Sequence, residues 1–157
     1  MTMTMMSEAG AQTRLKCLTV HQPFAWAIAQ GLKTVENRSW PPPRTLLGGY
    51  VAIHASKQNN REVDSWLETF AQMGLYPALA DLAFGAIIAV VKVTGHVTKS
   101  KQLPPSSRPW YFPGNMGWVL SEVRKLPTPI PAQGQLGLWT PRPAQLEEIR
   151  RQWKAAA

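Results

Sequence analysis

Lys33, Glu36 and Arg38 lie close together in the stretch HQPFAWAIAQGLKTVENRSW, residues 21–40. A carboxylate beside an ammonium can work as a general acid–base pair, and a guanidinium adds a planar, bidentate donor for a phosphate or a base edge. Thr34, Glu36 and Arg38 alternate with Val35, Asn37 and Ser39, so a strand here sets a hydroxyl, a carboxylate and a guanidinium on one face. Just upstream, Pro23 at a first-turn position, apolar Phe24, Trp26, Ala27 and Ile28, and Gly31 as a stop predict a short helix. Lys33 sits at the joint. Packed side by side, helix and strand gather Gln22, Lys33, Glu36 and Arg38, and cores seldom hold that many polar and charged groups without a use for them. The competing reading is an ion pair on a solvated strand face, where such pairs contribute about 0–1 kcal/mol.

Other chemistries have less support. GLKT, residues 31–34, is not a phosphate loop, because Leu32 separates Gly31 from the Lys33 that should follow a glycine directly. His21, His54, His96 and Cys17 lack the close spacing of a metal pair, so neither a metal nor a cofactor is expected. Thr34 beside Lys33, and Ser56 beside Lys57, pair a hydroxyl with a base in sequence, but neighbours on a strand point to opposite faces. Tryptophan is the more telling residue. Trp66 and Trp153 fall on helix stripes and read as core. Trp40, Trp110, Trp118 and Trp139 fall at strand ends or loops, where a ring can stack on a base. Such stacking combined with basic residues is how single strands are gripped.

These groups need a scaffold, and the chain supplies one. Its 157 residues are 45% hydrophobic and 17% charged, which fits a packed domain rather than a disordered chain. Lys+Arg 17 against Asp+Glu 9 gives a net charge of +8, the sign expected of a protein that meets phosphate. The single cysteine, Cys17, suits a reducing cytoplasm and reads as a small buried hydrophobe. No apolar run is long enough to span a bilayer and no signal-peptide pattern opens the chain, so a cytoplasmic protein without a membrane partner is expected. Residues 1–13 read as a disordered extension, and 14–157 as a single domain ending in a helix. Within it, strands are predicted at 15–20, 34–39, 50–56, 86–97, from Gly117 past Ser121 to the PTPIP segment, and at 134–139. Asn59 or Asn60 can cap a helix to about Met73, a short helical segment follows at 77–83, and Leu146, Ile149 and Trp153 stripe a helix from Pro143. The fold class is α+β, a small mixed β-barrel or strongly bent sheet with flanking helices.

LTVHQPFAWAIAQGLKTVENRSW, then GYVAIHASK, FGAIIAVVKVTG and GWVLSEVRKLPTPIPAQGQLGLW, resemble the ASCH domain, a relative of the PUA, EVE and YTH domains. The resemblance spans 17–139 and includes the Gly-x-Lys-x-x-Glu-x-Arg run as Gly31, Lys33, Glu36 and Arg38. It implies a PUA-like barrel, a cleft lined by the Lys, Glu and Arg of that run, and RNA or single-stranded nucleic acid as partner. On this reading Gln22, Trp40, His54, Ser56, Lys57 and Trp118 complete the cleft. The resemblance also leaves an enzyme open, a ribonuclease or modified-nucleoside hydrolase with Lys33 and Glu36 as the acid–base pair. The branch that hydrolyses acetylated cytidine has a Thr nucleophile where this chain has Glu36, so that nucleophile is missing here.

Overall fold

Alternating apolar residues build six strands, and one mixed sheet holds them all. In the computed structural model, which describes residues 15–57 and 60–156, these are β1 (Lys16–Val20), β2 (Val35–Arg38), β3 (Gly49–Ala55), β4 (Ala86–Val97), β5 (Met116–Pro131) and β6 (Leu138–Trp139). They are hydrogen-bonded in the order β2-β5-β4-β3-β1-β6. β1 runs parallel to β3 and the other neighbouring pairs are antiparallel. Helices α1 (Phe24–Ala29), α2 (Asn60–Gln72) and α3 (Pro143–Ala156) flank the sheet. The extension expected over 1–13 and a cap at Asn59 lie outside the described residues.

Period two along β1 feeds two cores on opposite faces of the sheet. Leu18 and Val20 pack with Val51, Ile53, Val91 and Ile28 on the α1 side. Cys17 packs with Ala52, Val90, Ile149 and Trp153 on the α3 side. Burial pushes the Cys17 thiol up to about 12, so the residue behaves as an inert hydrophobe. β4 begins buried on both faces, Ile87 and Val90 serving one core and Ile88 and Val91 the other, as a continuous β-branched run requires. A third cluster joins Phe70 of α2 to Ala27, Val35, Trp110 and Tyr111.

The sheet curls. Register shifts fall between Ile53 and His54 along the β3–β4 ladder and at three places along β4–β5, and each such irregularity bends its strand and increases the local twist. In the strand order β5, β4 and β3 separate β2 from β1, yet Arg38 Nη2 donates to the Thr19 carbonyl at 2.6 Å. Curling has therefore carried the β2 edge back beside β1, and the result is a mixed half-barrel with three flanking helices.

Two expectations change in detail. β5 does not stop at the PTPIP segment but continues through it. β2 pairs only as far as Val119, so the second half of β5 has a free side, and Pro127, Pro129 and Pro131 alternate along it, all exposed, where missing N–H groups cost no ladder bond. The helical segment expected at 77–83 shrinks to one 3-10 turn, Leu79–Asp81.

Candidate nucleic-acid interface

The helix-to-strand joint forms as its residues demand. α1 ends at Ala29, and Gly31 follows at φ 78°, a left-handed value that favours glycine. The Leu32 and Lys33 amides then both return to the Ala27 carbonyl, at 2.9 and 3.0 Å. This turn aims Lys33 back across β2. Its ammonium donates to Glu36 Oε1 at 2.8 Å and to the Val35 carbonyl, and it lies 5.8 Å from the Phe24 ring centroid. Glu36 Oε2 pairs with Arg38 Nη2 at 3.0 Å.

Lys33 and Glu36 are only 3% and 7% exposed, so this is no solvated surface pair. Two cations share one carboxylate, which leaves the group with an excess positive charge. Glu36 has both oxygens engaged, and Arg38 Nη2 is shared between Glu36 and Thr19. Arg38 Nη1 has no partner among the described residues, and the side chain keeps 21% of its surface exposed. Nε, which is buried, also has no partner among the described residues.

Above this charged floor lies a cleft of about 300 Å³, walled by Thr19 and His21 on one side and by Phe24, Phe112 and Asn115 on the other. The β2–β5 pairing builds the second wall: Arg38 sits opposite Met116, so the Phe112–Asn115 turn that precedes β5 lands over the cleft. Asn37, on the other face of β2, holds that turn from below. Its Nδ2 donates to the Trp110 carbonyl at 2.9 Å and its Oδ1 accepts from the Phe112 amide at 2.8 Å. Phe24 and Phe112 meet edge to face at 6.2 Å, and Trp66 of α2 packs against both.

The other residues singled out in the sequence divide three ways. Gln22 is fully buried and splints α1, accepting from the Trp26 amide and donating to the Ala83 carbonyl, both at 2.8 Å. His54, Ser56 and Lys57 line a neighbouring, larger cavity. Trp118 does not reach the cleft, being 0% exposed. Its indole N–H donates to the Trp40 carbonyl at 2.9 Å, and the Trp40 ring meets it edge-on at 4.9 Å. Trp110 and Trp139 are likewise buried, none of the four tryptophans lines the cleft, and the aromatic rings that do are Phe24 and Phe112. Thr34 also turns away, its hydroxyl bonded to Ser107. His21, weighed in the sequence only as a metal ligand, lines the cleft, and Thr19, Phe112 and Asn115 join it through long-range pairing. The FPGN turn just before a strand was the one local signal.

His54 lies at the base of the second cavity in a hydrogen-bonded network. A carbonyl can only accept, so the 2.7 Å contact with the Ala132 carbonyl puts the proton on Nε2. Nδ1 is 3.2 Å from the Thr19 hydroxyl, whose one proton goes either to Nδ1 or to the Gln135 carbonyl at 3.4 Å, while its oxygen accepts from Trp139 Nε1 at 3.0 Å. Burial favours the neutral ring and lowers the His54 pKa below its ordinary 6.5. Below about pH 6.5 the unfolded chain binds a proton that the folded chain refuses, so stability falls with pH until the folded-state pKa is reached and then levels off. Urea midpoints between about pH 7.5 and 5 should show this decline. In His54→Gln, which can still donate to Ala132 but cannot titrate, the decline should be shallower.

Among the described residues no three of His, Cys, Asp and Glu converge as a metal site would need, and no helix is long and apolar enough to cross a membrane. The fold resembles the crystal structure of ASCH from Zymomonas mobilis, with a TM-score of 0.52 at 16% identity over 87% of this chain and 93% of that one. A tyrosine-to-phenylalanine variant of the same protein gives 0.52 over 87% and 96%. Identity this low shows the shared fold alone. In sequence, 55 residues are 42% identical to activating signal cointegrator 1 of Homo sapiens, which is 34% of this chain and 9% of that protein. The family model for the ASCH domain matches residues 18–129, from β1 through most of β5 and across the whole charged floor of the cleft. The chain therefore belongs to the ASCH domain family.

Proposed function

We propose that this chain is a nucleic-acid-binding domain that takes single-stranded RNA, one base entering the cleft over Lys33, Glu36 and Arg38. The observation that carries this reading is a buried charged floor with an excess positive charge beneath two aromatic rings. Phe112, 38% exposed, offers a face to a base, and stacking of this kind contributes about 1–3 kcal/mol per base. Arg38 Nη1 supplies a hydrogen-bond donor and Asn115 Oδ1 an acceptor, the complement of a base edge. At about 300 Å³ the cleft is at the small end of ligand pockets, roughly 300–1,000 Å³, and suits one base better than a duplex. Phosphates on either side meet a chain of net charge +8. The resemblance to a short segment, 9%, of activating signal cointegrator 1 is in keeping with a domain that also occurs inside longer proteins.

Fluorescence anisotropy with mixed-sequence single-stranded RNA, single-stranded DNA and duplex RNA tests this. Single-stranded RNA should bind with an affinity that falls linearly in log–log form with salt. Arg38→Gln, which removes the guanidinium and also one of the two cations on buried Glu36, should weaken binding by about 1–3 kcal/mol, read at a temperature where circular dichroism shows the variant still folded. Absence of salt-dependent binding to any single strand would overturn the reading. RNA cleavage in the same incubation, lost on replacing Lys33, would move the assignment to an enzyme.

A further inference from the structure

The second cavity is larger than the first, about 960 Å³, and differs from it in charge. It lies between the end of β3, the loop 131–137 and the start of α3. No Asp or Glu lines it, whereas Lys57 and Arg142 both do. Both residues are exposed, and neither the ammonium nor the guanidinium has a partner among the described residues. The first cleft places a carboxylate between its cations, but here the cations are uncompensated. Phe84, half-buried in the same wall, adds an aromatic face. Two free cations beside an aromatic ring match a nucleotide, phosphate included, better than an uncharged metabolite.

The cavity is held open by its own contacts. His54 Nε2 fixes the loop at the Ala132 carbonyl. Gly134 lets the loop lie directly on the imidazole, since a Cβ there would fall 2.7 Å from His54 Cε1 and 2.9 Å from Thr19 Oγ1. A preformed site of this kind loses little freedom when a ligand enters.

The two cavities adjoin. Thr19 lines both, with its carbonyl bound to Arg38 and its hydroxyl to His54. His21 of the first cleft is hydrogen-bonded through Nδ1 to Ser56 of the second, at 2.8 Å. The family match ends at residue 129, so the loop, Arg142 and Gln145 lie beyond it. The second chamber is therefore built largely from residues outside the part of the chain that matches the family.

We propose that the two cavities form one track for a single strand. A base occupies the Phe24–Phe112 cleft, and the adjoining phosphodiester and next nucleotide lie in the second cavity against Lys57 and Arg142. This rests on the reading of the first cleft given above and adds to it a ligand of more than one nucleotide.

The test is salt-dependent binding of a short mixed-sequence oligoribonucleotide to the full chain. It compares the wild type, a Lys57→Gln/Arg142→Gln variant and a Lys125→Gln/Lys154→Gln control that removes the same charge from exposed residues lining neither cavity. Loss of two phosphate contacts makes the plot of log affinity against log salt shallower by about 1.4, at roughly 0.7 per contact for single strands. The gap between variant and wild type then narrows about sevenfold from 50 to 200 mM salt. That change in the Lys57/Arg142 variant, with the control matching the wild type, supports the track. A wild-type slope in both variants overturns the second chamber and leaves the first cleft standing. An equal change in both shows that the strand responds only to overall charge and also overturns the second chamber. Failure of the wild type to bind overturns both readings. Circular dichroism of each variant checks that the fold is retained.

Discussion

Replacing Lys33 with methionine should cost about 2–4 kcal/mol of folding stability, a large share of the roughly 5–15 kcal/mol that holds a typical protein together. The size follows from burial. Lys33 is 3% exposed and its ammonium serves two acceptors, Glu36 Oε1 and the Val35 carbonyl. Methionine fills the same volume but leaves the carbonyl without that donor and the Glu36 carboxylate with one cation instead of two. Removing one member of a buried pair costs more than the pair contributes, because the remaining charge stays desolvated. Arg38 still faces Glu36 at 3.0 Å, which keeps the expected loss below that of a fully stranded charge.

The double variant Lys33→Met/Glu36→Gln separates folding from binding. Glutamine carries no charge to strand and can still accept from Arg38, so most of the lost stability should return in urea unfolding. Binding should not return. Its deficit for single-stranded RNA should remain near 1–3 kcal/mol, because the floor of the cleft no longer holds Arg38 against a carboxylate. If the double variant binds like the wild type, the charged floor serves only the fold and the ligand sits elsewhere.

The parts of this site written in local sequence were legible, and the parts made by long-range pairing were not. The period of three to four in 24–28 and the period of two in 35–38 were enough to place α1 beside β2 and to bring Lys33, Glu36 and Arg38 together. The ASCH resemblance, carried by the same residues, gave the fold. His54 lies on β3 and Ser56 just past its end, and nothing in their own neighbourhood says that they face a different cavity from Arg38. That division arises because β1 comes between them, with Thr19 turning its carbonyl to one cavity and its hydroxyl to the other. The aromatic wall was invisible for a similar reason. Phe112 reaches the cleft only because β5 pairs with β2 in the register that sets Met116 opposite Arg38. Trp118 was misplaced because a tryptophan beginning a strand after a Gly-rich turn has the same local pattern whether it faces solvent or the core. Only the inward curl of the half-barrel decides.

Trp118 accordingly carries the other large effect, and on stability rather than on binding. Truncation to alanine removes a fully buried indole that packs against the α1-side core and the Trp40 ring. Such deletions cost about 3–5 kcal/mol, and the Trp40 carbonyl also loses its donor at 2.9 Å. In a chain of this size each kcal/mol lowers the thermal midpoint by about 2–4 °C, so Trp118→Ala should melt about 10–15 °C below the wild type. Trp118→Phe retains most of the apolar volume and gives up only the N–H bond and part of the packing, so it should lose about 1–2 kcal/mol and stay folded at room temperature. That variant decides what the residue does. If the indole is a core element seated opposite Glu36 in the β2–β5 ladder, folded Trp118→Phe binds single-stranded RNA within about twofold of the wild type, as expected for a change that touches no ligand. A loss of affinity at full foldedness would mean that the ring swings out to meet the strand, and that the barrel opens in the complex.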